Sequence, residues 1–394
     1  MRVYMGLDVH CKSTVYVAQD EEGNVIGEGE VTTSVEGFEK MVKEAGVPAG
    51  TRIGLETGTQ STWVARVLWG LEMEPVVIHA AEVRKKARRT RQKSDRRDAF
   101  EICDGLRRDL YTSIVYVPDK KVERLRRILS RRRHFVGKQT AQVNAAKFLV
   151  RSVGLRDEVA SLSTEAAWKE MLANGALGEV VRYLAMHFEV WKVTEKNVAE
   201  LDVELEEAVK PFQETVDRLQ TVLGVGPVVS AAFVAAIGKP ERFAESRQVV
   251  SYLGLAPSGD DSGERERHGK ITKQGSSYAR AMLCEAAQHA GRANHPLNPY
   301  FARAYAKRGY QKATVTVAQR LARILWRMWM NKEAFDVSKL RVVAERHVRK
   351  RTCYYRFPRA GETVGVSGPG NPEKKDAALV PAAPTRPGIL AISP

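Results

Sequence analysis

Asp8, Glu56, Asp95 and Asp98 are the side chains with the most chemistry to offer if the fold brings them together. Asp8 closes a β-branched and aromatic run, RVYMGLDV, and Glu56 closes the short apolar run RIGLE. Asp95 and Asp98 stand three apart, so on a helix they share one face. Four clustered carboxylates repel one another unless cations neutralise them. Hard divalent ions with oxygen ligands suit such a set, Mg²⁺ above all and Mn²⁺ as its substitute. Two such ions ~3.5–4 Å apart activate a nucleophile and stabilise the leaving oxygen in phosphodiester transfer. Each acid also has a purely structural use. Asp8 suits a strand-end turn, Glu56 a helix cap, and Asp95 and Asp98 ion pairs with Arg91 or Arg96.

The surroundings of the last two acids favour the chemical reading. From Arg84 to Arg97 the chain carries nine basic side chains and a single acid, Asp95. Arginines and lysines there would hold a phosphate backbone while the aspartates hold metals acting on it. Charge over the whole chain agrees. Residues 1–80 hold 6 basic and 12 acidic side chains, so with +16 overall the remaining 314 residues carry +22. Such an excess implies a polyanionic partner, most simply nucleic acid. No run of apolar residues is long enough to span a membrane, and MRVYMGLDVHCKSTV lacks the apolar core of a signal peptide. Cys11, Cys103, Cys284 and Cys353 form no CxxC pair and no zinc spacing, which fits a reducing cytoplasm.

Periodicity supplies the elements that must position these groups. Strands are predicted at 2–9, 14–19 and 25–33, then a helix through Phe38, Met41, Val42 and Ala45 that Gly46 ends. RIGLE is a buried strand, a helix runs to about Gly70, and PVVIH is a further strand. Three strands followed by alternating helices and strands is the order of a ribonuclease H-like α/β domain, in which the strands ending at Asp8 and Glu56 are neighbours. Residues 119–153 read as one long helix with Val122, Leu129, Val136, Val143 and Val150 seven apart, interrupted in the companion position by Arg132 and Gln139. A second helical face carries Val198, Leu201, Leu205, Ala208 and Phe212. The two helices make either a coiled-coil hairpin within the protomer or a dimer seam. LGVGPVVSAAFVAAIG has a helix-hairpin-helix look, in which Gly224 and Gly226 permit a tight turn and Pro227 begins a helix. That turn serves either a phosphate or the fold alone. Helices follow at 276–291, 298–308 and 312–331, the last with an apolar stripe suited to a core or a subunit interface. From about Gly361 the chain is rich in Pro, Gly and Ala, the composition of disorder.

GLDVH, LETG and the K-x-D-x-x-D-A run of Lys93, Asp95, Asp98 and Ala99 together resemble the DEDD insertion-sequence transposases. These are the "one-ten" insertion-sequence family and its relatives, the pilin-gene inversion recombinases. The C-terminal part resembles them too, through LGVGPVVSAAFVAAIG, SRQVVSYLGLAPSGDDSG and GKITKQGSSYARAML. The resemblance covers about residues 3–155 and 217–331. It implies a RuvC-like catalytic domain over 1–115, a helical coiled-coil linker over 116–215 and a mainly helical transposase domain over 216–345. A basic, disordered tail would fill 346–394. It further implies that Asp8, Glu56, Asp95 and Asp98 are the family's acidic tetrad. The nucleophilic serine follows GLAPS, best matched by Ser262 and next by Ser258, since the loop carries two Ser-Gly pairs. The implied partners are donor and target double-stranded DNA and a structured noncoding bridge RNA. Dimers would assemble into tetramers with an active site composed from two subunits, in the bacterial cytoplasm at the nucleoid. The family often has Thr where this chain has Ser94.

A serine hydroxyl needs a base or a metal to become a nucleophile. His268 is the one histidine nearby in sequence, and metal activation at the acidic cluster is the better fit. A phosphoserine bond keeps the energy of the broken phosphodiester, so strands are rejoined without ATP. Water in place of serine would make a RuvC-like, junction-resolving nuclease instead, and a protein without catalysis would simply bind nucleic acid. Backbone-holding candidates are Arg84, Lys85, Lys86, Arg88, Arg89, Arg91 and Lys93, with Arg124, Arg127 and Arg131 among six arginines early in the long helix. Arg265, Arg267, Lys270 and Lys273 flank the serines. Sequence would be read by guide pairing, since no recognition helix or zinc finger is evident.

Overall fold

The computed structural model describes residues 2–86, 94–155, 162–262 and 265–340, with no account of the side chains at 86, 259–262 and 265–268. All of them lie within one unit, Met1–Val348. Five strands form the N-terminal sheet: β1 (Tyr4–Val9), β2 (Ser13–Gln19), β3 (Val25–Thr32), β4 (Arg52–Glu56) and β5 (Glu74–Ile78). Their order is β3-β2-β1-β4-β5. The first three form an antiparallel meander, and β4 and β5 add in parallel beyond β1. Helices α1 (Val35–Glu44), α2 (Ser61–Gly70), α3 (Ala80–Lys86) and α4 (Asp95–Arg107) complete this part. The elements follow the order expected from periodicity. Local chemistry sets their ends. Ser34 caps α1 by accepting from the Gly37 N–H at 3.0 Å, and Gly46 beyond it takes a left-handed φ of 58°.

One face of the sheet packs on α1 and α2 through Leu7, Phe38, Met41, Ile53, Leu55, Val64 and Leu68. The other receives α4, which lies against β1, β2 and β4. A pair of glycines makes that possible. Gly6 and Gly54 sit opposite each other on β1 and β4. A Cβ on Gly6 would fall 2.1 Å from the Ala99 carbonyl oxygen, and one on Gly54 2.9 Å from Ile102 Cγ2. The helix backbone therefore rests directly on the sheet.

The remainder is mostly helical. α5 (Lys120–Ser152) and α7 (Val180–Val209) are long, and α6 (Glu165–Leu172) lies between them in sequence. Asp119 starts α5 by accepting from the Val122 N–H at 2.8 Å. α5 and α7 pack on each other within the protomer, and polar side chains of the two helices pair there. Arg132 bonds Asp202 at 2.5 Å and Gln142 meets His187 at 2.7 Å. α7 begins well before the face seen in sequence, because Leu184, Phe188 and Trp191 bury against Trp168 of α6 and Ala146 and Val150 of α5.

The C-terminal elements are α8 (Gln213–Gln220), α9 (Pro227–Ile237), α10 (Ser246–Tyr252), a β6–β7 hairpin (Pro257–Ser262 and Arg265–Ile271), α11 (Ser277–Gln288), α12 (Asn298–Arg308) and α13 (Tyr310–Asn331). α9 is buried along most of its length, and Pro227 occupies its first turn as expected. Gly224, with φ of 85°, lets the α8–α9 turn approach His289 and Ala286, where a Cβ would meet atoms at 3.1–3.2 Å. The α13 stripe is core: Leu321, Leu325, Trp326 and Met328 are buried, and the Trp326 indole donates to the Pro240 carbonyl at 3.0 Å. Ser258 and Ser262, expected on a loop, instead lie on β6 of the β6–β7 ladder. No helix among the described residues is long and apolar enough to cross a membrane. The expected disordered tail lies outside the described residues.

Candidate active site

The glycine pair that seats α4 also aims the acids. Side chains two apart on a strand share a face, so Asp8 lies on the face of Gly6, and Glu56 on that of Gly54. Both therefore point to the side that α4 covers. Leu7 pairs with Leu55, which brings the next residue on each strand, Asp8 and Glu56, to neighbouring positions at the same sheet edge. On α4, Asp95, Asp98, Ala99 and Ile102 follow helical spacing, so the face that touches Gly6 and Gly54 continues into the two aspartates. Ser94 starts the helix, its hydroxyl accepting from the Arg97 N–H at 3.3 Å. Threonine makes the same cap, which accounts for either hydroxyl residue serving there. Carboxylates in the first turn are also favoured by the positive end of the helix dipole.

Burial pushes the Asp8 carboxyl above its usual range, and the negative charges of Asp98 and Asp95 push the same way, against the pull of His10. Asp8 thus feels both α4 aspartates, and Glu56 ends the neighbouring strand at the same register. His10 was not singled out in sequence. Its Nε2 lies 3.2 Å from Asp8 Oδ2 and 3.4 Å from Asp95 Oδ2. The only signal in the sequence is its closeness to Asp8 in GLDVH, just past the end of β1. Asp8, His10 and Asp95 offer ligand atoms all within 4.8 Å of one another. The donors are carboxylate oxygens plus one imidazole, a set that fits a hard divalent ion, with the nitrogen also acceptable to Mn²⁺. Arg96, one alternative partner for the aspartates, pairs with Glu28 at 2.6 Å instead.

Residues 5–153 match the family model described as Transposase, and residues 216–302 match that of the Transposase IS116/IS110/IS902 family. The chain is similar to a "Probable family 20 transposase" of Pseudomonas aeruginosa, 28% identical over 250 residues, covering 59% of this chain and 71% of the relative. It is also similar to the "Transposase for insertion sequence element IS1111A" of Coxiella burnetii, 24% identical over 340 residues, covering 84% and 90%. The chain belongs to the IS110-type transposases.

The second matched region of the transposase contains the β6–β7 hairpin. Its root is clamped. A Cβ on Gly254 would lie 2.0 Å from the Gln274 carbonyl oxygen, and one on Gly275 2.0 Å from that of Tyr252. Arg280 donates to the carbonyls of Leu253 and Gln274 at 2.9 and 3.1 Å, and Gln319 to that of Leu255 at 2.6 Å. Ser262 ends β6 and pairs with Arg265 at the far end of the ladder. Ser258 sits near the root, and its hydroxyl donates to the Lys270 carbonyl at 2.9 Å. The side chains of Ser262, Arg265, Arg267 and His268 lie outside the described residues.

The basic candidates of the transposase divide by what they touch. Arg124, Arg127 and Arg131 lie exposed along one face of α5, with Arg127 3.5 Å from Glu123. Their neighbours are engaged in the fold. Arg126 donates to the Ala235 and Ala236 carbonyls, Arg132 to Asp202, and Arg133 to the Ser277 hydroxyl. Arg84 and Lys85 are exposed on α3, which Glu82 ties to Thr112 and Ser113. Lys270 and Lys273 are exposed. Arg88, Arg89, Arg91 and Lys93 lie outside the described residues, as does the side chain of Lys86.

Proposed function

We propose that this transposase is an RNA-guided DNA recombinase that cuts and rejoins strands through a serine-linked intermediate. In this reading its N-terminal part is a ribonuclease H-like, RuvC-type domain, and Asp8, Glu56, Asp95 and Asp98 hold divalent metal, Mg²⁺ or Mn²⁺. What supports the reading is that Asp95 and Asp98 both act on Asp8, that His10 lies between Asp8 and Asp95, and that Glu56 ends the strand paired in register with β1. The β3-β2-β1-β4-β5 order, with its antiparallel meander and parallel extension, supports the domain assignment. Bound divalent metal would stabilise charge on a phosphodiester and favour ionisation of a hydroxyl.

The chain's own residues do the rest. Ser262, at the outer end of a hairpin with a fixed root, attacks phosphorus. Its Oγ–P bond forms as the P–O bond to the released strand end breaks. The serine proton is given up, and the released oxygen takes one. Attack by a strand-end hydroxyl reverses the bond changes and joins new ends. Ser258 is the second choice, because its hydroxyl is already committed to the Lys270 carbonyl. Exposed Arg84, Lys85, Arg124, Arg127, Arg131, Lys270 and Lys273 hold phosphates of donor DNA, target DNA and the structured bridge RNA.

Assembly as dimers and tetramers has support on α7. Tyr183, Met186, Val190 and Val193 are 53%, 54%, 47% and 61% exposed and follow a 3-4-3 spacing, the pattern of a helical seam. Work at the nucleoid follows from the DNA substrate.

The test traps protein on labelled DNA under denaturing conditions. Ser262→Ala should abolish the covalent adduct and keep DNA binding. An adduct that survives Ser262→Ala and vanishes in Ser258→Ala moves the nucleophile. Full cleavage by the double variant means that water attacks and the enzyme is a nuclease.

A further inference from the structure

The carboxylate edge leaves unused a concave feature of the helical part. A cavity of about 420 Å³ lies between α5, α9 and the start of α11. Arg126, Ser130 and Arg133 line it from one face of α5, and Tyr252 and Tyr278 from the opposite side, over a floor of α9 alanines. No carboxylate lines it among the described residues. We propose that this cavity takes one unpaired nucleotide of a nucleic-acid strand, its base against tyrosine and its phosphate at Arg133 and Ser130.

Three features argue for that occupant. The first is size, since the volume sits at the small end of the ~300–1,000 Å³ of ligand pockets. That is room for a single nucleotide and not for a duplex. The second is the chemistry of the walls. Base–aromatic stacking works with every base, because each has a π-face, and an arginine fork suits phosphate. The Arg133 guanidinium lies 5.6 Å from the Tyr278 ring centroid, so a phosphate-binding cation and an aromatic ring stand side by side.

The third is rigidity. Tyr252 is fixed by Phe243 at 5.2 Å and by Arg242 at 4.9 Å. Tyr278 is held by Arg132, itself paired with Asp202 of α7. Arg126 is anchored on the Ala235 and Ala236 carbonyls. An occupant therefore meets walls that need little ordering. Arg124, Arg127 and Arg131 run along the neighbouring exposed face of α5 over ~10 Å of helix. Phosphates flanking the inserted nucleotide would lie there. The inference rests on the reading of this transposase as a nucleic-acid-handling enzyme and adds where a splayed-out nucleotide is gripped.

The experiment measures binding of full-length transposase to labelled oligouridine, oligothymidine and a duplex of the same length, by fluorescence anisotropy. Ser130 is exposed, so Ser130→Trp fills the mouth of the cavity without removing a charge, and Tyr278→Leu removes the stacking face. Both should weaken single-strand binding about tenfold and leave duplex affinity within about twofold, since the exposed phosphate contacts remain. A loss confined to oligouridine identifies an RNA nucleotide, and one confined to oligothymidine a DNA nucleotide. Equal losses for both mean the pocket reads only what they share. Unchanged single-strand affinity in both variants, or a loss shared equally by the duplex, overturns the proposal. A wild-type protein that binds none of the three overturns the wider reading as well.

Discussion

The carboxylate edge and the serine hairpin both rely on glycine for close backbone approach, yet they place their functional groups in opposite ways. At the edge, Gly6 and Gly54 lie two residues from Asp8 and Glu56, and α4 rests directly on them. The strands therefore set the positions of Asp8 and Glu56, and the seated helix those of Asp95 and Asp98. In the hairpin, Gly254 and Gly275 clamp only the root. Ser262 lies five residues beyond Pro257 along β6, or ~17 Å at strand rise. A two-stranded ribbon has little stability of its own. In the proposed mechanism the acids would be preformed and the serine delivered. A nucleophile on such an arm would suit the proposed reaction, in which strands must be gripped, released and joined again.

The largest effect should come from breaking the fixed half at its seat. Gly6→Ala puts a Cβ 2.1 Å from the Ala99 carbonyl oxygen, a backbone atom that no rotamer change can move aside. α4 must lift. The expected result is a loss of about 1–3 kcal/mol or more in stability, read by thermal or urea unfolding. Strand cleavage should fall about a hundredfold or more, because displacing a reacting group by about 1 Å is enough. The same change at a clamped root, Gly254→Ala, should disturb the hairpin while leaving divalent-ion binding at the acids intact. Loss of ion binding in that second variant would erase the distinction between the halves.

Asp8→Asn sharpens the same comparison through charge alone. Burial and the neighbouring aspartates hold the Asp8 carboxyl above its ordinary range, so in metal-free protein its negative charge works against the fold. Removing that charge should keep or raise the Tm without metal, while cleavage falls about a hundredfold or more. Wild-type protein should gain stability on adding Mg²⁺, by about 1.4 kcal/mol at ten times the Kd. The Asn variant should gain little. Thermal scans with and without Mg²⁺ read both effects, and an equal Mg²⁺ response in the two proteins would take Asp8 out of the metal site.

Legibility in the sequence follows the same divide. Period-2 and period-3.6 patterns exposed the strands and helices of the N-terminal part, because one face of each is buried. The acids at the ends of those elements then followed from chain order. The glycine seat was invisible, since a glycine shows its use only once its neighbour across the contact is known. His10 lies just past the end of β1, so only its contacts with Asp8 and Asp95 reveal its place. Arg126, Arg132 and Arg133 looked like more of the same basic run, and only packing reveals that they brace α5 against α7, α9 and α11. The hairpin misled in the other direction. Ser, Gly, Asp and Glu are poor strand formers, so SGDDSGERER looks like a loop. Its ladder comes from a root closed by bonds from Thr272 to Ala256 and from Lys273 to Gly254, which bring the two legs into register.

The smallest expected effect tests the arm itself. Ser258 donates across the ladder to the Lys270 carbonyl, close to the clamped root, where the legs are already held by backbone bonds. Ser258→Ala removes one side-chain hydrogen bond at an exposed site, worth about 0.5–1.5 kcal/mol at most, and leaves Ser262 untouched. Backbone amide exchange over residues 257–271 should quicken modestly, with no change elsewhere. Strand exchange should stay within a few-fold of wild type, because those backbone bonds remain. If Ser258→Ala instead cuts strand exchange as deeply as Asp8→Asn, then Ser258 is either the nucleophile or the hinge on which Ser262 depends. Adduct trapping separates these two, since a hinge variant still forms the covalent bond, only more slowly.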